Sequence, residues 1–420
     1  MAEDYHGTVL GAAAERVADS CASPGSSSIM TLNPHDPVAL TQALVRCESV
    51  TPHEGGALTL LQNILEPAGF TCHRLMFSEP GTPDIDNLYA RLGAGRPHLC
   101  FAGHTDVVPV GNAAAWTHPP FAGEIKNGIL YGRGAVDMKG CIAAFAAAAL
   151  QYLTYHGGKL PRGSLSFLIT GDEEGPSING TIKVLDWLKA RDEVIDACLV
   201  GEPSNPKALG DEIKIGRRGS LNADIVVHGK QGHAAYPQLA DNPVPKLARM
   251  IDRLCSAKLD DGTANFQPSN LQVTVISVPN TASNVIPAEA RAKLNIRYND
   301  AWTRPKMESW VRETASKAAA ELGAKFDIAF SGNGDVFVTK PGPLVATLKD
   351  AVKSVTGRTP ALTTGGGTSD ARFIKDHCPV VEFGLVNATI HQVDEHTSVK
   401  DLEDLSQIYN RFITNYFASG

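Results

Sequence analysis

At 420 residues the chain exceeds what one hydrophobic core usually supports, so two domains are expected, and a 43% hydrophobic content is ample for both. A net charge of −7, with acids and bases mixed along the chain, offers no basic field for nucleic acid and no polybasic patch for a membrane; a small or cationic partner fits better. No apolar run approaches the length that spans a bilayer, and eight scattered cysteines without a C-x-x-C pair read as mostly buried thiols of a reducing, cytoplasmic compartment.

Residues 1–31 have acids near their start and no apolar core flanked by bases, which makes them a poor signal peptide. With "SPGSSS" near their end they read as a disordered tail or tag without a function. Helices are predicted over 36–47, with Asp36 as cap and Pro37 in the first turn, and over 57–68, with Leu58, Leu61 and Leu65 on one face and Gly69 beyond. Apolar strands follow at 98–103, 164–170, 197–201 and 380–384, with helices over about 139–152 and 181–190 between them. Strands apolar throughout and separated by helices indicate an α/β fold with a mostly parallel sheet covered on both faces.

From about 219 to 331 the rhythm changes to strand 221–228, helix 243–256, strand 271–278, strand 290–298, helix 305–322 and strand 325–330. That order is βαββαβ, the ferredoxin-like pattern. Because the chain then returns to material like its first part, the small domain, 217–331, is read as an insertion between the two segments of a larger one, 32–216 and 332–420.

Acids and histidines recur where the predicted strands of the large domain end. "GHTDVVP" places His104 and Asp106 two apart, on one side of an extended segment, so that the carboxylate can bind one imidazole nitrogen while the other faces a metal. Asp137 lies in a turn before a helix, where a carboxylate taken alone is better explained as an N-cap. "GDEEG" supplies Asp172, Glu173 and Glu174; adjacent extended residues point apart, so Glu173 and Glu174 should have different duties. Glu202 follows another strand, and His391 sits on a loop after the fourth. Taken singly these are also the residues of polar turns, caps and solvated loops. Together they stand where open α/β sheets bind ligands, and three carboxylates against two divalent ions and a hydroxide give a neutral cluster. Imidazole and carboxylate donors suit zinc, which leaves one acid of the Glu173/Glu174 pair free to handle a proton.

"GHTDVVP", "GRGAVDMKG", "ITGDEEG", "GEPS" and "NATIH" together resemble the dizinc exopeptidase and deacylase family that includes acetylornithine deacetylase and the aminoacylases. "GRRGSLN", "GKQGHAAYP", "SNVIPAE", "NIRY" and "GGGTSDARF" narrow the likeness to the branch that removes succinyl groups from diamino acids, over residue 36 to the C-terminus. The resemblance implies two Zn²⁺ per subunit, with Co²⁺ as a substitute. Asp137 would bridge them, His104 and Glu202 would complete one site, and Glu174 and His391 the other. Glu173 would be the general base, Asp106 the residue that orients His104, and Asp172 a solvated or outlying partner. A non-proline cis peptide after Asp137 is implied as well.

For an anionic acyl group the fork of an arginine is the natural partner, and Arg217 and Arg297 are the candidates the resemblance supports, beside the alternative of surface ion pairs. The resemblance also implies that His233 reaches the neighbouring subunit's active site to stabilise an oxyanion, with Tyr236 and Asn284 as further contacts. The small domain would then be a lid and the joint of a homodimer. "TGGGTSD" lacks the lysine and spacing of a phosphate loop; Gly367 and Thr368 are expected to offer backbone donors to a substrate carboxylate. The expected reaction is hydrolysis of an N-succinyl amino acid. The alternatives are another acyl choice within the same chemistry, as in acetylornithine deacetylase or a broader deacylase, and a silent binding protein that keeps the fold.

Overall fold

The computed structural model describes residues 32–418, so the predicted tail lies outside the described residues. The first helix, Pro37–Val45, is capped as expected by Asp36, whose Oδ1 accepts from the amides of Val38 and Ala39. The second, Ala57–Leu65, buries Leu58, Leu61 and Leu65 on one face. Both end two or three residues before the apolar pattern does.

An eight-stranded sheet forms the centre of the larger part. Its order is Thr71–Phe77, Ile85–Leu92, Ser164–Thr170, His98–His104, Ala197–Val200, Val380–Glu382, Glu212–Lys214 and Ala361–Thr363. His98–His104 runs parallel to both of its neighbours, and Val380–Glu382 runs parallel to Ala197–Val200. These four are the predicted apolar strands, and every residue in them is buried. The amphipathic strand Thr71–Phe77, which carries His73 and Arg74, pairs antiparallel with Ile85–Leu92 and closes one edge. Its mixed polarity hides it from a search for apolar runs.

The helix Lys139–Tyr155 packs between Pro37–Val45 and the C-terminal helix Val399–Ala418. Its run of alanines from Ala143 to Ala149, broken only by Phe145, lets neighbouring helices approach closely. Under the parallel strands, Phe145 stacks on Phe101 with ring centroids 4.2 Å apart and meets Phe167 and Tyr409 edge-on. This rigid floor supports the strand ends described below.

The smaller part is an antiparallel sheet ordered Asn270–Ser277, Glu289–Tyr298, Gly219–His228, Lys325–Gly334. Leu221, Ala223, Ile225 and Val227 alternate inward and pack with Ala292, Leu294 and Ile296 against Met250 and Leu254 of helix Pro243–Ser256 and Met307 and Val311 of helix Arg304–Leu322. The period of two along the strands and the stripe along each helix produce one shared core, as the βαββαβ pattern predicts. The edge strand Asn270–Ser277 leaves Val275 43% and Ile276 62% exposed. No helix among the described residues is long and apolar enough to cross a membrane. The described cysteines are free, with Cys100, Cys141, Cys198 and Cys378 buried and Cys255 exposed.

One close approach ties this packing to the strand ends. A Cβ on Gly384 would lie 2.5 Å from the carbonyl oxygen of Glu202, 2.6 Å from that of Gly201 and 2.7 Å from Cys141 Sγ. Two of those atoms are backbone and cannot swing aside. Gly384→Ala should therefore destabilise the protein by about 1–3 kcal/mol, the usual cost of overpacking, and displace Glu202. Urea unfolding checks the first effect and metal content the second.

Candidate metal centre

Six predicted side chains converge at the C-terminal ends of the parallel strands. His104 is the last residue of its strand, Glu173 and Glu174 lie in the turn after Ser164–Thr170, and Glu202 follows Ala197–Val200. His391 comes from the loop after Val380–Glu382, and Asp137 from the turn before helix Lys139–Tyr155, where its peptide bond to Met138 is cis. That helix has no side-chain cap, so Asp137 does not serve as one.

Asp137 stands between the two histidines. Its Oδ1 lies 3.2 Å from His104 Nε2 and its Oδ2 3.4 Å from His391 Nε2. Glu202 Oε1 is 3.8 Å from His104 Nε2, and Glu174 Oε1 is 2.8 Å from His391 Nε2. His104, Asp137 and Glu202 thus form one group of potential ligand atoms within 4.8 Å of one another, and Asp137, Glu174 and His391 a second, with Asp137 in both. Glu173 sends Oε2 to 4.0 Å from His104 Nε2. Glu173 approaches His104 and Glu174 approaches His391, although their backbone is a turn rather than the expected extended segment.

Asp106 makes that turn. Buried and 1% exposed, its carboxylate accepts from the amides of Glu173 (3.3 Å) and Glu174 (3.0 Å). Its own carbonyl oxygen lies 2.9 Å from His104 Nδ1, closer than its carboxylate at 3.6 Å. Only an N–H satisfies a carbonyl, so the proton sits on Nδ1 and Nε2 faces the acids. Of the two roles expected of Asp172, burial excludes the solvated one: its Oδ2 accepts from the amides of Ile178 and Asn179 at 2.8 and 2.9 Å. It fixes the chain just beyond the glutamates.

The electrostatics are those of a cluster built around cations. Burial raises Glu173 to about 8, with Asp370, Asp137 and Glu174 adding to the rise, and burial with Asp137 and Glu173 holds Glu202 well above the carboxylate range. Burial likewise pushes Asp106 up to about 7. Asp137 goes the other way: burial opposes its ionisation, but its hydrogen bonds to the two imidazoles outweigh that and lower it. Hydrogen bonds that its imidazolium donates to Asp137 and Glu174 raise His391 to about 10. Three carboxylates and two imidazole nitrogens aimed at one another fit a pair of borderline divalent ions, which would replace the imidazolium charges as the counter-charge.

The cleft beside this cluster holds about 510 Å³ and is also lined by Arg217, Arg297, Gly367 and Thr368. Arg217 is nearly buried. Its guanidinium forks onto Glu382 and donates to the carbonyls of Gly365 (3.3 Å) and Gly367 (3.2 Å), so it shapes the glycine-rich loop. Arg297 donates from Nε to Asn295 Oδ1 at 3.0 Å. The remaining predicted contacts do not line the cleft: His233, Tyr236 and Asn284 lie on the small sheet's side, where His233 Nδ1 accepts from the amide of Ala235 and the carbonyl of Asn284 accepts from the amide of Ala234. Tyr236 is 56% exposed. Sequence reasoning missed Lys214 and Arg372, two further cations of the cleft wall. Lys214 pairs with Glu212, and Arg372 lies 3.7 Å from Asp370 and over the Phe373 ring. Arg372 sits in "GGGTSDARF" and Lys214 just before "GRRGSLN", but a lone basic residue carries no signal of which wall it lines.

Comparison with known proteins bears on this geometry. The model of peptidase family M20/M25/M40 matches residues 100–415. A succinyl-diaminopimelate desuccinylase of Rhodospirillum centenum is 58% identical over 383 residues, which is 91% of this chain and 98% of that protein. In three dimensions the chain is similar to an M20 family metallo-carboxypeptidase from Sulfolobus solfataricus, with a TM-score of 0.74 at 19% identity over 91% of this chain and 99% of that one. It is also similar to a dinuclear metal binding peptidase of the M20 family from Bacillus subtilis, with a TM-score of 0.67 at 16% identity over 92% and 99%. The structural likenesses extend the fold across both sheets, and the family match takes in all the converging acids and histidines: the chain belongs to peptidase family M20/M25/M40.

Proposed function

We propose that this protein is a dizinc amidohydrolase that cleaves N-succinyl-L,L-2,6-diaminopimelate to succinate and L,L-diaminopimelate, in the synthesis of diaminopimelate and lysine in the cytoplasm. The observation that carries the reading is the position of Asp137, whose two oxygens face two separate histidine–glutamate pairs. The substrate choice rests on the 58% identity to a desuccinylase. Among the described residues, His104 and Glu202 would hold one ion, Glu174 and His391 the other, and Asp137 both. When bound, two divalent ions polarise the amide carbonyl and make water acidic enough to attack near neutral pH.

The chain's own residues handle the rest. Glu173 is the acid that both groups leave free: it takes a proton from the attacking water and returns it to the departing amine nitrogen. Asp106 keeps His104 in one tautomer through its carbonyl and holds the glutamate turn through its carboxylate. Arg297 and the backbone of Gly367 and Thr368 receive substrate carboxylates, while Arg217 acts through the loop whose carbonyls it binds. Segment 217–331 is read as lid and dimerisation domain inserted between 32–216 and 332–420. The exposed apolar edge strand Asn270–Ser277 supports a homodimer joined there, since such an edge invites pairing with a second copy. In that dimer His233, Tyr236 and Asn284 would complete the partner's site and supply a preplaced oxyanion donor.

A substrate panel tests the reading. Chelated protein should hydrolyse nothing, and readdition of Zn²⁺ or Co²⁺ should restore cleavage of the succinyl substrate far above that of N-acetylornithine. Equal rates on both would turn the assignment to the broader deacylases, and full activity after chelation would remove the metal centre.

A further inference from the structure

The two halves of the proposed metal centre come from segments more than 250 residues apart in sequence, the turn that carries Asp137 and the loop that carries His391. One side chain joins them. Glu395, fully buried, lies four residues after His391, and its Oε1 accepts from three successive parts of the other segment: the amides of Gly134 (3.1 Å), Val136 (2.9 Å) and Asp137 (3.2 Å). Its Oε2 accepts from Arg133 Nη1 at 2.7 Å. Arg133 then closes the circuit, with Nη2 3.5 Å from the carbonyl oxygen of His391 and its guanidinium over the Trp116 ring at 5.3 Å.

The His391 loop needs such a hold. His391 and Asp394 both adopt left-handed backbone, with φ of 59° and 58°, a conformation uncommon outside glycine that neighbouring contacts help to hold. Asp394 is held from outside by the amide and hydroxyl of Thr117, at 2.8 and 2.7 Å, and Glu395 anchors the next residue to the Asp137 turn. A buried carboxylate with four donors in place sets a distance well, because moving either segment would strand a charge without partners.

We propose that Glu395, with Arg133, is a positioning residue that fixes the separation of Asp137 and His391 and so sets the affinity of the His391–Glu174 metal site, while the His104–Glu202 site depends on it less. This deepens the two-metal reading and rests on it. Removing a group that orients a metal ligand commonly weakens the site tenfold to a hundredfold.

The test is titration of Co²⁺ into metal-free protein, followed by visible absorption, for the wild type, Glu395→Gln and Arg133→Met. The wild type comes first: fewer than two ions bound would sink the two-metal reading itself. Given two ions, Glu395→Gln should bind one at close to wild-type affinity and the other about tenfold to a hundredfold more weakly, with a changed spectrum for the weak ion only. Arg133→Met leaves the three backbone contacts of Glu395 in place and should weaken the same ion by less. It also keeps the proposal testable should Glu395→Gln fail to fold, which thermal unfolding of the metal-free proteins reveals. Two ions bound within twofold of wild type, with an unchanged spectrum, in whichever variants fold would overturn it. Equal weakening of both sites would overturn it too.

Discussion

Glu173→Gln is expected to keep two bound metal ions while turnover falls by about 10²–10⁴-fold, the share that a well-placed proton-transfer group contributes. The carboxylate stands 4.0 Å from His104 Nε2, farther than Asp137 at 3.2 Å and Glu202 at 3.8 Å. Distance alone does not settle its role, since His104, Glu173 and Glu174 also form a group whose ligand atoms lie within reach of one ion. Glutamine separates the possibilities: it keeps size and burial but cannot accept a proton from water. Metal content of two with a collapsed kcat and little change in KM identifies the base. Loss of one ion would make Glu173 a ligand, and near-normal turnover would remove it from the chemistry.

Much of this centre was legible before any coordinates. The four central strands are mostly apolar and buried at every position, so their ends are easy to find, and the polar residues that follow each run are the ones that meet in space. His104, Glu202 and the pair Glu173 and Glu174 all announce themselves in this way. Asp137 does not, because an aspartate before a helix is explained as a cap; only its place between two imidazoles removes that explanation. The edge strand Thr71–Phe77 was missed because its burial follows neither an apolar run nor a clean alternation. Arg217 shows a further limit. Sequence can nominate an arginine for an anion, but it does not say that Glu382, 165 residues away, already occupies the guanidinium. Glu395 was invisible for the same reason, since a carboxylate that binds backbone amides of a distant turn leaves no pattern in either segment.

Asp137→Ala should have the largest effect on metal binding of any single change in the cluster. Glu202→Ala or His391→Ala removes a donor from one group, but Asp137 belongs to both, so its loss is expected to cut the stoichiometry below that of either variant and to abolish turnover. Folding and binding can be separated by the stabilisation that metal confers. Each ion bound only by the folded protein contributes about 2.7 kcal/mol at a hundredfold excess over its Kd, which appears as a rise in the unfolding midpoint when metal is added to chelated protein. The wild type should show that rise for two sites, Glu202→Ala and His391→Ala for about one, and Asp137→Ala little or none. In the metal-free state the same variant loses the carboxylate that lies between two imidazoles, and with it one of the two hydrogen bonds that raise His391. His391 should then titrate lower in Asp137→Ala than in the metal-free parent, which proton NMR of the imidazole can follow. A full two-site rise in the variant would mean that the ions are held without Asp137, and the bridged arrangement would have to be abandoned.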